Sequence, residues 1–165
     1  MVSQAATSLG EGLEGKLREL GEALDGIGEE QAAQRPADAE WSCKEVLSHL
    51  MGDEGEREVD RLQRFLDEEN PLIGVVVGLP YYTPERQAMS LPELRAGVWK
   101  RYEEMAAFVS GLSDEQLERG ARIPLLKQTP IGEQATLAQW VGVITSFHLP
   151  AHIEQVKAAR NALGA

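Results

Sequence analysis

Apolar residues recur at three- and four-residue steps along most of this chain, the spacing that puts them on one face of an α-helix. Ala6, Leu9, Leu13, Leu17, Leu20, Leu24 and Ile27 form the first stripe and predict a helix over about residues 3 to 27. Its glycines at 10, 12, 15 and 21 lower helix propensity, so packing must hold it. A second helix is predicted from residue 43 to about 69, ended by Asn70 and Pro71. A third runs from 91 to 109, with Leu91, Leu94, Val98, Met105, Ala106 and Val109 inward. After a connection rich in Pro and Gly, a last helix runs from 137 to about 163, with Leu137, Val141, Ile144, His148, His152, Ala159 and Leu163 on its inner face.

The polar positions sharpen these starts. Ser42 with Glu45, Ser90 with Glu93, Ser113 with Gln116, and Thr136 with Gln139 each have capping-box spacing, in which two orphan N–H groups are satisfied reciprocally. Trp41 with Val46, Met89 with Leu94, and Leu112 with Leu117 add the flanking apolar staple. The box at Ser113 predicts a short helical turn after helix three. The β-prone run at 72–77 lies between Pro71 and Pro80 and reads as a connection. Four long helices and no second low-complexity or repeat unit predict one all-α four-helix-bundle domain over residues 1–165.

Charge narrows the partners. With 27 acidic and 16 basic residues the net charge is −11, which repels phosphate backbones and anionic lipid. Nucleic acid and membrane surfaces are therefore not expected partners, and no apolar run approaches the ~20 residues that span a bilayer. One cysteine, Cys43, and an N-terminus without a basic and apolar leader predict a cytoplasmic protein.

The chain has three histidines, and all fall on stripes expected to face inward. His148 and His152 are four residues apart, one helical turn, close enough for two imidazoles to share one ion at about 2.0 to 2.2 Å each. His49 lies on helix two beside Val46 and Leu50. If helices two and four are neighbours, the three form a metal site of the kind bundles build from facing helices, with a position left open for water or substrate. The alternative is three core histidines satisfied by hydrogen bonds, with no ion. Pro150, between the two helix-four histidines, lacks the N–H that would donate to Ser146 and predicts a bend there.

The segment Trp41-Ser-Cys-Lys-Glu-Val-Leu-Ser-His49-Leu50, followed by Glu54, resembles the helix-two signature of the DinB/YfiT-like superfamily. His148-Leu-Pro-Ala-His152-Ile-Glu-Gln155-Val156 resembles its helix-four signature. The resemblance covers essentially the whole chain. It implies an up-down-down-up four-helix bundle, often a homodimer, with His49, His148 and His152 as ligands of a divalent metal, nickel or zinc. It departs from the family where Leu149 and Pro150 stand in place of a polar residue after the first helix-four histidine.

Other features divide between two readings. Asp53, one turn beyond His49, and Glu54 are open as added ligands, orienting groups or solvated residues. Glu56 and Glu58 read as solvated. Cys43, at the start of helix two, reads as a small core residue rather than an activated thiol. The loop around Tyr81 and Tyr82 would either wall a pocket over the metal or close the bundle in a dimer contact. Trp41, Trp99 and Trp140 read as packing. The function implied by resemblance is a metal-dependent enzyme, an S-transferase using a low-molecular-weight thiol or a hydrolase, acting on a small molecule. The other reading is a non-enzymatic dimeric bundle that binds metal or ligand in a stress response.

Overall fold

A side-chain oxygen placed three residues before a free N–H starts each of the four long helical runs expected from the sequence. In the computed structural model, which describes residues 1–164, Ser3 Oγ accepts from Ala6 N–H and opens α1, Gln4–Leu24. The last residue of the expected 1–165 unit lies outside this description. All four capping boxes read from the sequence form, at Ser42, Ser90, Ser113 and Thr136. They open α3 (Cys43–Met51), α6 (Leu91–Ser110), the short α7 (Asp114–Leu117) and α8 (Leu137–Val143). Between them lie α2 (Glu29–Ala33), α4 (Glu58–Asp67) and α5 (Pro84–Ala88), and α9 (Leu149–Ala162) closes the order. Helix accounts for 63% of the chain and strand for 4%, so the class is all-α.

Pairwise contacts give the topology. α1 packs on α6 and α9 rather than on α3, and α3 packs on α6 and α9. Gly10 lies against Ser110 while Gly21 lies against Arg95 and Trp99, so α1 and α6 run antiparallel. Met51 abuts Gly97 and Arg57 pairs with Glu104, so the second and third long elements run parallel. Gly12 abuts Thr145, and Arg160 donates to the carbonyls of Glu22 and Ala23, so the first and last also run parallel. The result is an up-down-down-up bundle. The glycine at 10 serves this packing: a Cβ there would stand 1.9 Å from Ser110 Oγ and 3.1 Å from the Ala106 carbonyl oxygen.

Three expectations need correction. Helix two is not continuous from 43 to 69. It stops at Gly52, which takes φ 76° and ψ −177° as the cap of α3, and Gly55 (φ 81°) turns the chain again before α4 begins at Glu58. The stretch between has no apolar side chain to hold a helix on the core, so two glycines suffice to end it. The connection before helix four contains a two-stranded antiparallel sheet, β1 (Gly120–Arg122) with β2 (Gln134–Thr136), Ala121 facing Ala135. The run at 72–77 remains a connection with a single bridge: Ile73 N–H donates to the Arg122 carbonyl and Arg122 N–H to that of Pro71, both at 2.9 Å.

The last helix carries the third correction. Between α8 and α9 the ladder widens into a π turn over Ile144–His148, and Leu149 N–H donates to the Ile144 carbonyl, five residues back. The regular ladder restarts at Leu149, which puts Pro150 in the first turn of α9, where a missing N–H leaves nothing unpaired. The disturbance is thus an inserted residue ahead of the proline rather than a simple bend at it. It also moves the core stripe: after Leu137, Val141 and Ile144 the buried positions are Leu149, Ile153, Val156 and Ala159. His148 and His152 consequently sit beside the stripe, half-buried, and not on it. Among the described residues, no helix is long and apolar enough to cross a membrane.

Candidate metal centre

The π turn and the break after α3 have one thing in common: residues of both border the same opening. His49, in the last turn of α3, meets His148 and His152 across that opening. Ring centroids are 4.5 Å apart for His49 and His152, 4.7 Å for His148 and His152, and 5.3 Å for His49 and His148. One ligand atom from each ring can be chosen so that all three lie within 4.8 Å of one another. An ion with bonds of about 2.1 Å would draw them in by less than about 1 Å per ring.

The hydrogen bonds fix which nitrogens are free. His49 Nδ1 is 2.6 Å from the Leu79 carbonyl oxygen, an acceptor only, so Nδ1 carries the proton and Nε2 offers a lone pair. His152 Nδ1 is 2.8 Å from Gln155 Oε1, which assigns the same tautomer when the amide presents its oxygen there. This is the outer-shell pattern of metal-bound imidazoles, in which the second ring nitrogen donates to a carbonyl or carboxylate.

Electrostatics keep the rings neutral. Burial, then the neighbouring His152 and His49 rings, then the Arg101 guanidinium hold His148 down to about 3. Burial also lowers His49 and His152, against the hydrogen bonds they make to Leu79 and Gln155, which act the other way. Neutral imidazoles are the ligand form, so the three residues fit a divalent ion at neutral pH.

Trp41 is part of this cluster, not only a staple. Its ring lies parallel to His152 (3°, centroids 6.2 Å apart) and tilted on His49 at 5.2 Å. The strap over residues 71–83 forms the other wall. Its Tyr81, at the left-handed φ of 49°, stacks on His49 at 6.4 Å, and its carbonyl accepts from Ser48 Oγ. Buried Arg86 ties the strap down, donating from Nη1 to the Ser48 carbonyl at 2.8 Å and to the Tyr81 carbonyl at 3.3 Å. Of the two readings of this loop, the pocket wall is the one seen within the chain: Val75, Val76, Val77 and Tyr81 line a cleft of about 320 Å³ with the histidines at its side.

The carboxylates sort differently from expectation. Asp53 is exposed in the cleft lining and stands outside the ligand cluster. Glu54 accepts from Thr83 Oγ1 at 2.9 Å and so holds the strap. Glu58, expected to be solvated, is buried on the cleft side, accepting from Trp140 Nε1 at 3.2 Å and from Arg61 and Arg101 at 3.0 Å each. Sequence reasoning missed it because helix two was drawn straight through. The spacing of Arg61 three residues beyond Glu58 was the available signal. Cys43 is buried, and burial pushes its thiol up, in keeping with a core residue.

Three comparisons bear on these features. The family model of the DinB superfamily matches residues 13–156. YfiT from Bacillus subtilis, described as a probable metal-dependent hydrolase with an unusual four-helix bundle topology, superposes with a TM-score of 0.76 over 99% of this chain and 91% of its own, at 20% identity. At that identity the likeness speaks for the fold alone. No functionally curated protein matches significantly. The family match extends from the middle of α1 to the last turns of α9 and includes all three histidines, and the chain belongs to the DinB superfamily.

Proposed function

We propose that this protein is a metal-dependent hydrolase for a small organic substrate, with His49, His148 and His152 holding one divalent ion, zinc or nickel. The observation that carries this is the clustering with its tautomers: one ring nitrogen from each histidine lies within 4.8 Å of the others beside a cleft, and Leu79 and Gln155 engage Nδ1 of two rings, leaving their Nε2 lone pairs free. A structural histidine cluster has no need of that arrangement, and a catalytic ion needs it together with an open side. The description of YfiT as a probable metal-dependent hydrolase agrees with this reading.

A divalent ion in this position supplies Lewis-acid activation of water or of a carbonyl group. The chain's own residues do the rest. Trp41 and Tyr81 hold the rings in place, and the valines of the strap give the cleft beside them an apolar wall. The same open position would accept a thiolate, so transfer to a low-molecular-weight thiol is the second reaction to test. We also take the protein to be a cytoplasmic homodimer. Its single cysteine is buried, and Leu72 and Phe147 are exposed apolar side chains of the kind a second copy would cover.

The test is to load the purified protein with zinc or nickel and assay ester and amide panels with and without glutathione, bacillithiol or mycothiol. Turnover without thiol that disappears in His148→Ala supports the hydrolase. Turnover only with a thiol assigns transfer. Stoichiometric metal with no turnover on either panel indicates a metal-binding protein without enzymatic activity.

A further inference from the structure

Arg101 has two ties that hold it in place and a charge that is not fully neutralised. Its Nη1 donates to the Glu56 carbonyl at 2.8 Å and its Nη2 to Glu58 at 3.0 Å. Glu58 also accepts from Arg61 and Trp140, so one carboxylate, with 6% of its side chain exposed, serves two guanidinium groups that are 13% and 19% exposed. This sheltered trio carries a net positive charge. Glu56, the further partner of Arg61, is 59% exposed, so solvent screens its contribution.

The guanidinium lies flat on the end of α3. A Cβ on Gly52 would stand 2.6 Å from Arg101 Cζ, so glycine at 52 is what admits it three residues beyond His49. Arg101, Glu58 and Gly52 line the same cleft as the three histidines. Arg101 has five N–H donors, and only two of them make hydrogen bonds among the described residues. Arg101 is itself only 13% exposed and shares the cleft with valine and leucine side chains, which raises the value of any anion paired with it.

We propose that Arg101 is the specificity-determining residue of the cleft, pairing with a carboxylate on a small, otherwise apolar substrate whose reacting group lies at the histidines. A monocarboxylate suits the site better than a phosphate. The sheltered surplus is one positive charge, which one carboxylate matches and a phosphate dianion exceeds. Val75, Val76, Val77 and Leu125 would cover the apolar body. The proposal rests on the cleft being the substrate site, and it deepens the hydrolase reading by naming the substrate class.

Carboxylates also bind metals, so the test uses the metal-free chain. Calorimetric or NMR titration at low salt compares hexanoate with hexanamide, which has the same shape and no charge. The expected result is at least about a tenfold preference for hexanoate, the value of one sheltered charge-assisted hydrogen bond. The preference should vanish in Arg101→Gln and return in part in Arg101→Lys. A purely structural Arg101 would change the melting temperature but not the hexanoate to hexanamide ratio. Equal binding of the two ligands by the parent protein, or no binding of either, overturns the proposal whether or not the variants fold, as does a preference that survives in Arg101→Gln. A loaded protein that hydrolyses nothing, while the metal-free chain still prefers hexanoate, would refute the hydrolase reading and leave this one standing.

Discussion

His49 Nδ1 and the Leu79 carbonyl oxygen lie 2.6 Å apart, which joins a candidate metal ligand on α3 to the backbone of the strap over residues 71–83. The strap is therefore part of the site: whatever displaces it also frees the His49 ring. Arg86 is the side chain that holds both, since it bonds the Ser48 carbonyl and the Tyr81 carbonyl from a buried position. Arg86→Ala should cost about 2–3 kcal/mol in urea unfolding, because buried carbonyls lose a charged donor. It should also weaken metal binding in a chelator competition assay. Unchanged affinity would separate the strap from the metal site.

Gln155 acts on the other helix-four ligand. It makes the hydrogen bond at 2.8 Å to His152 Nδ1, and Gln155→Leu removes that partner at similar volume. Loss of such an outer-shell partner costs about 10- to 100-fold in metal affinity. The same competition assay reads it, with circular dichroism showing an unchanged helical fold.

The metal-free protein should lose stability as pH falls from about 6.5 toward 3. His148 in the unfolded chain takes up a proton near the ordinary value of about 6.5, whereas the folded state resists it down to about 3. Below the unfolded value the unfolded state binds more protons, so folding weakens with acidification, by up to about 1.4 kcal/mol per pH unit for one such group. His49 and His152, also lowered, act in the same direction. Urea unfolding at about pH 7 and about pH 5.5 isolates the histidines from most carboxylates, and His148→Gln should reduce the difference.

Gly52 combines a backbone and a packing demand. Its φ of 76° and ψ of −177° lie where essentially only glycine rests, and a Cβ would meet the Arg101 guanidinium at 2.6 Å. Gly52→Ala should destabilise by at least about 1–3 kcal/mol, measured by thermal or urea unfolding. A neutral result would mean that α3 can run on through this position.

How legible these features were depends on how far each one's cause extends along the chain. The capping boxes at Ser42, Ser90, Ser113 and Thr136 are local, four-residue devices, and each was readable and forms. The family resemblance resting on His49, His148 and His152 agrees with the match over residues 13–156, and the three rings do meet. What escaped depends on single residues or on distant partners. The π turn is one inserted residue in an otherwise unbroken stripe, and it shifts the histidines from the core face to the cleft edge. The break at Gly52 and Gly55 is hidden in the sequence because α4 begins at Glu58 without a side-chain cap to announce it. β1 and β2 have three residues each, too few for an alternating pattern to show. Glu58 looks solvated in its own segment, and only Trp140 and Arg101, 82 and 43 residues away, make it buried.

The central claim is that one divalent ion binds at His49, His148 and His152. The most direct measurement is native mass spectrometry with elemental analysis of protein reconstituted with zinc or nickel and then dialysed, for the parent chain and for His49→Ala. The account predicts one ion per chain in the parent and none retained in the variant. A parent that retains no ion, or a variant that retains it equally well, would contradict it.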